Sequence, residues 1–262
     1  MKKTITGFHA IEERLRFYKS KNLEKNTAIR YTLYFDTRGP RIKKILSEAT
    51  KLNIQSKQVS KAELNQLVSG LSDFAREHRG LVLIIEGEKD EKKETVDLTA
   101  FLSTLSVSKE EKEESIVVVL DSISDPQNVG AILRSADQFG VDLVIAPKRE
   151  SALESEIIDR TSSGASAWVA MAVVPNLVRA VEELKKAGYW IYGADAGGKN
   201  LKEIAFEKKV CLIMGSEGKG ISRLLKENCD EIVSIPTEGK LDSLNVSVAA
   251  GILLYEINSS VL

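Results

Sequence analysis

Apolar residues in the first third of the chain follow the patterns of short helices and strands. Phe8, Ile11, Leu15 and Tyr18 recur at near-helical spacing, which predicts a helix over Gly7–Tyr18. Continuous apolar runs bounded by polar residues predict strands. The other elements predicted here are strands at Tyr31–Phe35 and Leu81–Ile85 and helices at Pro40–Leu52 and Ala62–Leu71. Together these elements predict a small α/β unit.

In the remainder of the chain, apolar strands alternate with amphipathic helices. The first pair is the buried run Ile116–Leu120 and a helix from about Asn128, a good N-cap residue, to Phe139, where Gly140 suits the left-handed position that ends a helix. Further strands are predicted at Val141–Ala146, Val169–Val174, Trp190–Ala194, Val210–Met214 and Glu231–Ile235, and further helices at Leu153–Ser162, Asn176–Ala187, Ile221–Lys226 and Leu244–Tyr255. The segment Asp195–Asn200 predicts a turn. Such alternation predicts a Rossmann-like, mostly parallel sheet with helices on both faces.

Charge divides the chain between these two parts. Residues 1–88 contain 17 Lys and Arg against 10 Asp and Glu, whereas residues 115–262 contain 15 against 20. Between them, the runs EGEKDEKKE and KEEKEE have the charge density of a linker. We therefore predict domains at 1–88 and 115–262, joined by a charged linker at 89–114. The basic first domain favours contact with a polyanion, unless its charge is an ordinary surface fluctuation.

Composition and the remaining motifs exclude several classes of protein. The chain has 262 residues, 43% hydrophobic and 29% charged, which is the balance of a globular protein. No apolar run reaches the roughly 18 residues of a membrane helix. Two cysteines, Cys211 and Cys229, and two histidines outside the sheet domain form neither a disulfide framework nor a zinc motif. The glycines of GSEGKG match neither a dinucleotide-binding nor a phosphate-binding loop. We expect a reduced, cytoplasmic protein that binds no metal and no membrane.

Three loops at the carboxyl ends of predicted strands concentrate polar residues. Ligands bind at this edge of a parallel sheet. The loops are DSISDPQNVGAILRSADQFG from Asp121, MGSEGKGIS from Met214 and IPTEGKLDSLNVSV from Ile235. Their candidate functional residues are Asn128, Arg134, Glu217, Ser243, Asn245 and Ser247. Each also has a purely structural interpretation as a helix cap or a solvated side chain, and Asn128 and Ser243 are the candidate caps.

The same three loops resemble, in order and spacing, the three signature motifs of the SpoU-type RNA 2′-O-ribose methyltransferases of the SPOUT superfamily. The resemblance covers roughly residues 115–258, through DPQNVGAILRSADQFG, IMGSEGKGIS and IPTEGKLDSLNVSVAAGILLYE. The segments TGFHAIEERL and HRGLVL resemble the N-terminal RNA-binding domain of the family's ribosomal-RNA branch, a domain similar to a small ribosomal protein. The resemblance implies a homodimer and a C-terminal sheet threaded into a trefoil knot, which periodicity alone could not predict.

The resemblance also implies a reaction, which is transfer of a methyl group from S-adenosylmethionine (SAM) to a ribose 2′-hydroxyl of RNA. The implied catalytic residues are Arg134, Asn128, Glu217, Ser243 and Asn245. Arg134 matches the family's proposed general base. Because a guanidinium holds its proton tightly, a physical alternative is that Arg134 binds a phosphate and stabilises the developing alkoxide. The implied cofactor-binding positions are Gly215, Ile235, Leu244, Met214 and Ala194. Among these, Gly215 permits close backbone approach, and Ile235 and Leu244 can enclose an adenine.

We therefore expect an enzyme that methylates RNA at a ribose 2′-hydroxyl, with a guanosine of large-subunit (23S) ribosomal RNA as the expected target. A transfer-RNA methyltransferase of the same family is one alternative. A non-catalytic RNA-binding protein is a second, and damage to the polar motif residues would favour it, but Asn128, Arg134, Glu217 and Asn245 are intact. The expected partners are RNA, SAM and a second copy of the chain.

Overall fold

The computed structural model describes residues 2–21, 29–87, 96–107, 113–148, 156–240 and 243–261. Parts of three predicted features lie outside these ranges: residues 89–95 and 108–112 of the linker, 153–155 of a helix, and 241–242 of the third loop. The chain forms two compact units. One unit consists of Met1–Lys93 together with Glu154–Trp168, and the other of Glu94–Leu153 together with Val169–Leu262.

The first unit is a four-stranded sheet covered by short helices. Its strands are β1 (Lys2–Thr6), β2 (Ile29–Phe35), β3 (Gln55–Gln58) and β4 (Leu81–Gly87), in the order β1-β4-β2-β3. Its helices are α1 (Phe8–Ser20), α2 (Pro40–Lys51), α3 (Lys61–Leu67) and α4 (Asp73–Arg76). The predicted strands and helices of this part are confirmed. Strands β1 and β3 were not predicted, and every residue of β3 is exposed, so its sequence QSKQ carries no apolar pattern.

A segment from much later in the chain completes this first unit. Helix α7 (Glu156–Thr161) packs against β1, α1 and α4, and its Ile158 is fully buried. Lys3 Nζ lies 2.7 Å from Asp159 Oδ2, and the Arg160 guanidinium lies 4.5 Å from the ring centroid of Phe74. The predicted division at 1–88 and 115–262 therefore differs from the structure, because residues 154–168 belong to the first unit.

The second unit is built on a six-stranded parallel sheet. Its strands are β5 (Ser115–Leu120), β6 (Leu143–Pro147), β7 (Met171–Val174), β8 (Trp190–Asn200), β9 (Lys209–Met214) and β10 (Glu231–Ser234), in the order β10-β8-β9-β5-β6-β7. Its helices are α5 (Leu98–Val107), α6 (Pro126–Gln138), α8 (Leu177–Lys186), α9 (Arg223–Glu227) and α10 (Val246–Val261). Every residue of the central strand β5 is buried, as a sheet covered on both faces requires. The predicted Rossmann-like parallel sheet is confirmed.

Two segments of the second unit differ from their predictions. Helix α5 lies inside the predicted linker, and its Leu98 is buried in the core of the sheet unit. The segment Asp195–Asn200, predicted as a turn, forms the end of β8. Between Ile232 and Val233 the β10 register jumps from Gly193 to Lys199, so five residues of β8, 194–198, form an irregular bulge without a β10 partner. The glycines that indicated a turn serve this bulge, since a Cβ on Gly198 would lie 2.6 Å from the Ile232 backbone.

Candidate active site

The first loop of the site follows β5 and starts helix α6. Asp125 caps this helix, because its Oδ1 accepts a hydrogen bond from Gln127 N over 2.9 Å and Pro126 occupies the first helical position. The predicted cap at Asn128 is wrong, since Asn128 lies inside the first turn of α6. Its side chain is only 9% exposed and is free to hydrogen-bond outside its own helix.

The second loop follows β9 and forms a tight hairpin. Ser216 N donates to Gly220 O over 3.1 Å, and Gly220 N donates to Ser216 O over 2.9 Å. A Cβ on Gly215 would lie 2.2 Å from the carbonyl carbon of Gly220, so this close approach requires glycine. The hairpin carries Glu217 at its tip, followed by Gly218 at φ +85°.

The third loop follows β10 and ends where α10 begins. Asn245 caps α10, because its Oδ1 accepts hydrogen bonds from Ser247 N at 2.9 Å and Val248 N at 3.3 Å. Ser247 Oγ donates to the same oxygen over 2.6 Å. The structural interpretation of Ser243 as this cap is wrong, since Asn245 performs that role and Ser243 is exposed.

Hydrogen bonds connect the three loops through Asn128, Glu217 and Asn245, which we call the three-loop cluster. Glu217 Oε1 accepts from Asn245 Nδ2 at 2.8 Å, from Asn128 Nδ2 at 3.2 Å and from Val246 N at 3.4 Å. Asn245 Nδ2 also donates to Asn128 Oδ1 over 2.9 Å. Bonds to an ionised acceptor are stronger than neutral ones. One carboxylate oxygen therefore fixes the relative positions of the three motifs.

The other two predicted catalytic residues lie outside the three-loop cluster. Arg134 is exposed on α6, six residues after Asn128. At about 1.5 Å and about 100° per residue, its Cα lies roughly 9 Å further along the helix and on a different face. Ser243 is exposed at the start of the segment that leads into α10.

Asp121, at the end of β5, is a residue of the site that sequence reasoning did not single out. It is 5% exposed, and its Oδ2 accepts a hydrogen bond from Ser222 N over 2.6 Å. Its Oδ1 accepts from Ser122 Oγ over 3.1 Å. The carboxylate therefore ties the first loop to the end of the second. The sequence feature that could have indicated Asp121 is its position directly after the apolar run IVVVL, at the carboxyl end of a predicted strand.

Three of the predicted SAM-binding positions, Met214, Gly215 and Ile235, lie at the carboxyl ends of β9 and β10. Ala194 is the last residue of β8 that pairs with β9, and Leu244 lies shortly before α10. Ala194 and Met214 are paired neighbours in the sheet. Met214 is 2% exposed, and its carbonyl oxygen accepts a hydrogen bond from Asp121 N over 2.8 Å. Ile235 is half-buried and Leu244 is 36% exposed. Backbone groups next to partly exposed apolar side chains fit a ligand with an adenine ring.

Asp195 borders the same sheet edge. Lys226 Nζ donates to its Oδ2 over 2.8 Å, and this hydrogen bond lowers the pKa of Asp195. A Cβ on Gly220 would lie 3.5 Å from the same oxygen, which places the ionised carboxylate beside the second loop. Among the residues that the structure describes, no group of three His, Cys, Asp or Glu side chains could hold a metal ion. In the same residues, no helix combines the length and apolar character needed to span a bilayer.

Comparison with known proteins identifies similar chains. The family model described as the SpoU rRNA methylase family matches residues 115–255, and one described as RNA 2′-O ribose methyltransferase substrate binding matches residues 4–91. The chain is 41% identical to a protein of Borreliella burgdorferi named as an uncharacterized tRNA/rRNA methyltransferase, over 85% of this chain and 95% of that protein. It is 36% identical to the 23S rRNA (guanosine-2′-O-)-methyltransferase RlmB of Neisseria meningitidis, over 96% and 93%.

Solved structures show the same fold. The crystal structure of an AdoMet-bound rRNA methyltransferase from Sinorhizobium meliloti matches with a TM-score of 0.71, covering 100% of this chain and 88% of that one. The identity is 21%, so this likeness concerns the fold. The combination of a parallel-sheet unit with an N-terminal unit, predicted from the sequence, is confirmed by this match.

Proposed function

The chain belongs to the SpoU family of RNA 2′-O-ribose methyltransferases, with SAM as methyl donor, and we propose that its target is a guanosine of 23S ribosomal RNA. The relative from Neisseria meningitidis carries the name of this reaction and aligns over almost the whole chain. The substrate-binding family match over residues 4–91 supports RNA contact by the first unit. The name of the Borreliella relative includes tRNA, which keeps a transfer-RNA target as the alternative.

The three-loop cluster is the observation from which we infer where on the protein the methyl transfer takes place. A ribose hydroxyl is a weak nucleophile, so the enzyme must hold its oxygen in line with the methyl carbon, which contributes on the order of 7 kcal/mol in well-aligned cases. Glu217 Oε1 is occupied by three N–H donors, and no described residue hydrogen-bonds Oε2. We assign Oε2 to accept the hydrogen bond of the ribose 2′-hydroxyl, with Asn128 and Asn245 holding the carboxylate in place.

Arg134 is proposed to stabilise negative charge on the substrate rather than to accept the proton of the ribose 2′-hydroxyl. Its guanidinium is exposed on α6 and can contact the phosphate next to the acceptor ribose. There it stabilises the negative charge that develops on the ribose oxygen. Arg134→Lys keeps the charge but loses the planar fork, so a severe loss of turnover with normal SAM affinity supports an oriented contact. Near-normal turnover of Arg134→Lys would contradict it. Ser243 is proposed to contact the same ribose.

The methyl donor supplies a methyl group on a positively charged sulfonium, and that charge is lost on transfer. Its binding is assigned to Gly215, Ile235, Leu244, Met214 and Ala194. Of these, the backbone at Gly215 and Met214 provides hydrogen-bonding groups, and Ile235 and Leu244 provide apolar contact for the adenine ring. Asp195, which Lys226 keeps ionised, adds negative charge at this edge and favours a cationic donor.

A homodimer is part of the proposal. Val248, Ile252 and Tyr255 recur at helical spacing on α10 and are 51%, 37% and 56% exposed, which makes an apolar face in continuity with the cap of the third loop. A second copy of the chain is the proposed occupant, and Ile252→Arg is expected to shift the sedimentation coefficient to that of a monomer. The trefoil knot of the family and a cytoplasmic location, where ribosomal RNA is modified, complete the proposal.

The experiment that tests the target is transfer of labelled methyl from SAM to total RNA that lacks its own 2′-O-methyl marks, followed by mapping of the labelled nucleotide. Label at one 23S guanosine supports the proposal. Label in transfer RNA replaces the target and retains the reaction. Absence of label from both RNA classes, with SAM binding intact, indicates either an assembly-intermediate substrate or a non-catalytic RNA-binding role. Glu217→Gln replaces the proposed acceptor Oε2 with an amide and is expected to lose transfer. Glu182→Gln, on the exposed side of α8, is its matched control and is expected to retain full transfer.

A further inference from the structure

An exposed tryptophan in the first unit is held rigidly and has no structural role in a core. Trp168 is 41% exposed and ends the segment that returns from α7. Its Nε1 donates to Glu13 Oε2 over 3.2 Å, and its ring meets Phe17 edge-to-face with centroids 5.6 Å apart. These two contacts fix the indole orientation and satisfy its only polar atom.

The backbone before Trp168 is seated closely on α1. Gly164 has φ +92°, and a Cβ there would lie 2.6 Å from Glu13 Cβ, so only glycine allows this approach. Trp168 N then donates to Ala165 O over 2.9 Å. The indole is therefore positioned before any ligand arrives, and binding need not order it.

Two cations lie near the Phe17 ring of this aromatic pair. The Arg14 guanidinium carbon lies 5.3 Å and Lys21 Nζ lies 5.8 Å from the Phe17 ring centroid. Arg14 and Phe17 lie three residues apart on one face of α1, and Lys21 is the residue that caps the carboxyl end of this helix. Glu13, which accepts the hydrogen bond of the indole, also pairs with Arg16 NH1 at 2.6 Å. A single exposed aromatic side chain is common on protein surfaces. An exposed aromatic ring with cations beside it, in a protein whose substrate is RNA, can stack on a base of a single strand.

We propose that Trp168, Phe17, Arg14 and Lys21 form a stacking platform for an unpaired nucleotide of the RNA substrate, with the base on Trp168 and the adjoining phosphate near Lys21. Proteins recognise single-stranded RNA by stacking bases on aromatic side chains and holding the backbone with cations. The platform rests on RNA being the substrate, but not on which RNA is methylated. It lies outside the three-loop cluster and contributes substrate affinity rather than methyl transfer.

The chain offers a direct reporter, because its two tryptophans are Trp168 and Trp190. In the full-length Trp190→Phe protein, fluorescence comes from Trp168 alone. We expect a short single-stranded oligoadenylate to quench it and a fully paired RNA duplex of equal length to leave it unchanged. Trp190 is 43% exposed, similar to Trp168. Trp190→Phe is therefore also the matched control for substitutions of Trp168, and it should not change RNA affinity.

Substitutions separate stacking from charge. Trp168→Ala is expected to weaken oligoadenylate binding roughly 5- to 150-fold without changing the salt dependence, whereas Trp168→Phe retains most of the affinity. Lys21→Ala is expected to reduce the slope of log affinity against log salt by about 0.7. Thermal melting of each variant verifies its fold.

Three results would overturn the platform. These are an unchanged affinity in folded Trp168→Ala, equal damage from Trp168→Phe and Trp168→Ala, or a change in oligomeric state of Trp168→Ala with RNA affinity intact. The last result would assign Trp168 to a protein contact. The wild-type protein could fail to methylate 23S RNA while oligoadenylate still quenches Trp168 fluorescence and Trp168→Ala still weakens RNA binding. That result would contradict the proposed target and support the platform.

Discussion

Replacing Asn128 with Asp converts one donor of the three-loop cluster into an acceptor while preserving its size. Asn128 Nδ2 donates to Glu217 Oε1 over 3.2 Å, so the introduced oxygen faces a carboxylate at that distance. The bond from Asn245 Nδ2 to the other oxygen of residue 128 can remain. The substitution therefore tests one contact of the cluster without creating a cavity.

The expected cost follows from two effects. A lost charge-assisted hydrogen bond costs about 1.5–3 kcal/mol. Two unit charges at this separation repel by about 1.3 kcal/mol in water and about 5 kcal/mol at an effective dielectric constant of 20. Because Glu217 is exposed, the repulsion lies toward the smaller value. We expect Asn128→Asp to lower the free energy of unfolding by about 3 kcal/mol and Tm by roughly 10 °C.

The penalty has a pH dependence of known sign. Repulsion raises the folded-state pKa of the introduced carboxyl above its unfolded value. The destabilisation is therefore complete above the raised pKa and declines as pH falls through it. A repulsion of about 1.3 kcal/mol raises the pKa of the introduced carboxyl from about 3.9 to about 5. Calorimetric Tm values of both proteins, compared from about pH 7 to about pH 3.5, should therefore converge on acidification. A constant difference across this range, or no difference at all, would refute the cluster as described.

Asn176→Asp is the matched control for this experiment. Asn176 caps α8, and its Oδ1 accepts a hydrogen bond from Arg179 N over 3.0 Å. An aspartate at this position is an equally good cap and adds favourable charge at the helix N-terminus. The same chemical change should therefore leave Tm unchanged or slightly higher at neutral pH.

Three further predictions concern the second unit. Asp121→Ala removes the buried acceptor of Ser222 N and should lower the free energy of unfolding by about 1–3 kcal/mol in urea titrations; unchanged stability would contradict that role. Gly215→Ala places a methyl group 2.2 Å from the carbonyl carbon of Gly220 and should abolish SAM binding in calorimetry. At Gly218 the added methyl group points into open space, so Gly218→Ala should cost only about 1 kcal/mol of stability. Burial raises the pKa of Cys229 to about 11, so its alkylation, followed by mass spectrometry, should be slow at pH 7 and accelerate steadily towards pH 10; fast labelling at pH 7 would contradict the burial.

The sheet unit and the meeting of its three loops follow from sequence pattern. Buried runs such as Ile116–Leu120 have the length and β-branched content of central parallel strands, and parallel strands bring their carboxyl ends to one edge. The cap of α6 was also predictable. Asp125 and Asn128 are both good N-cap residues, but Pro126 favours the first helical position and so points to Asp125.

Other features depend on contacts that no local pattern records. Strand β3 is polar and exposed throughout, so its pairing with β2 leaves no trace in hydropathy. The glycines of Asp195–Asn200 are typical of turns, and only the neighbouring β10 converts them into a bulged strand. Glu217 is one exposed carboxylate among many in the sequence. Its importance comes from Asn128 and Asn245, which lie 89 and 28 residues away along the chain.

Between β6 and β7 the chain contributes residues 154–168 to the first unit, and this affects the order in which the two units can fold during synthesis. The first unit lacks Ile158 and the Lys3–Asp159 ion pair until residue 168 has left the ribosome, by which time β5 and β6 have already been made. The N-terminal unit is therefore closed by a late segment and folds as a nested rather than a sequential domain. A fragment beginning after residue 93 carries α7 with its buried face uncovered, and we expect such a fragment to aggregate unless residues 154–168 are replaced by a short polar connection.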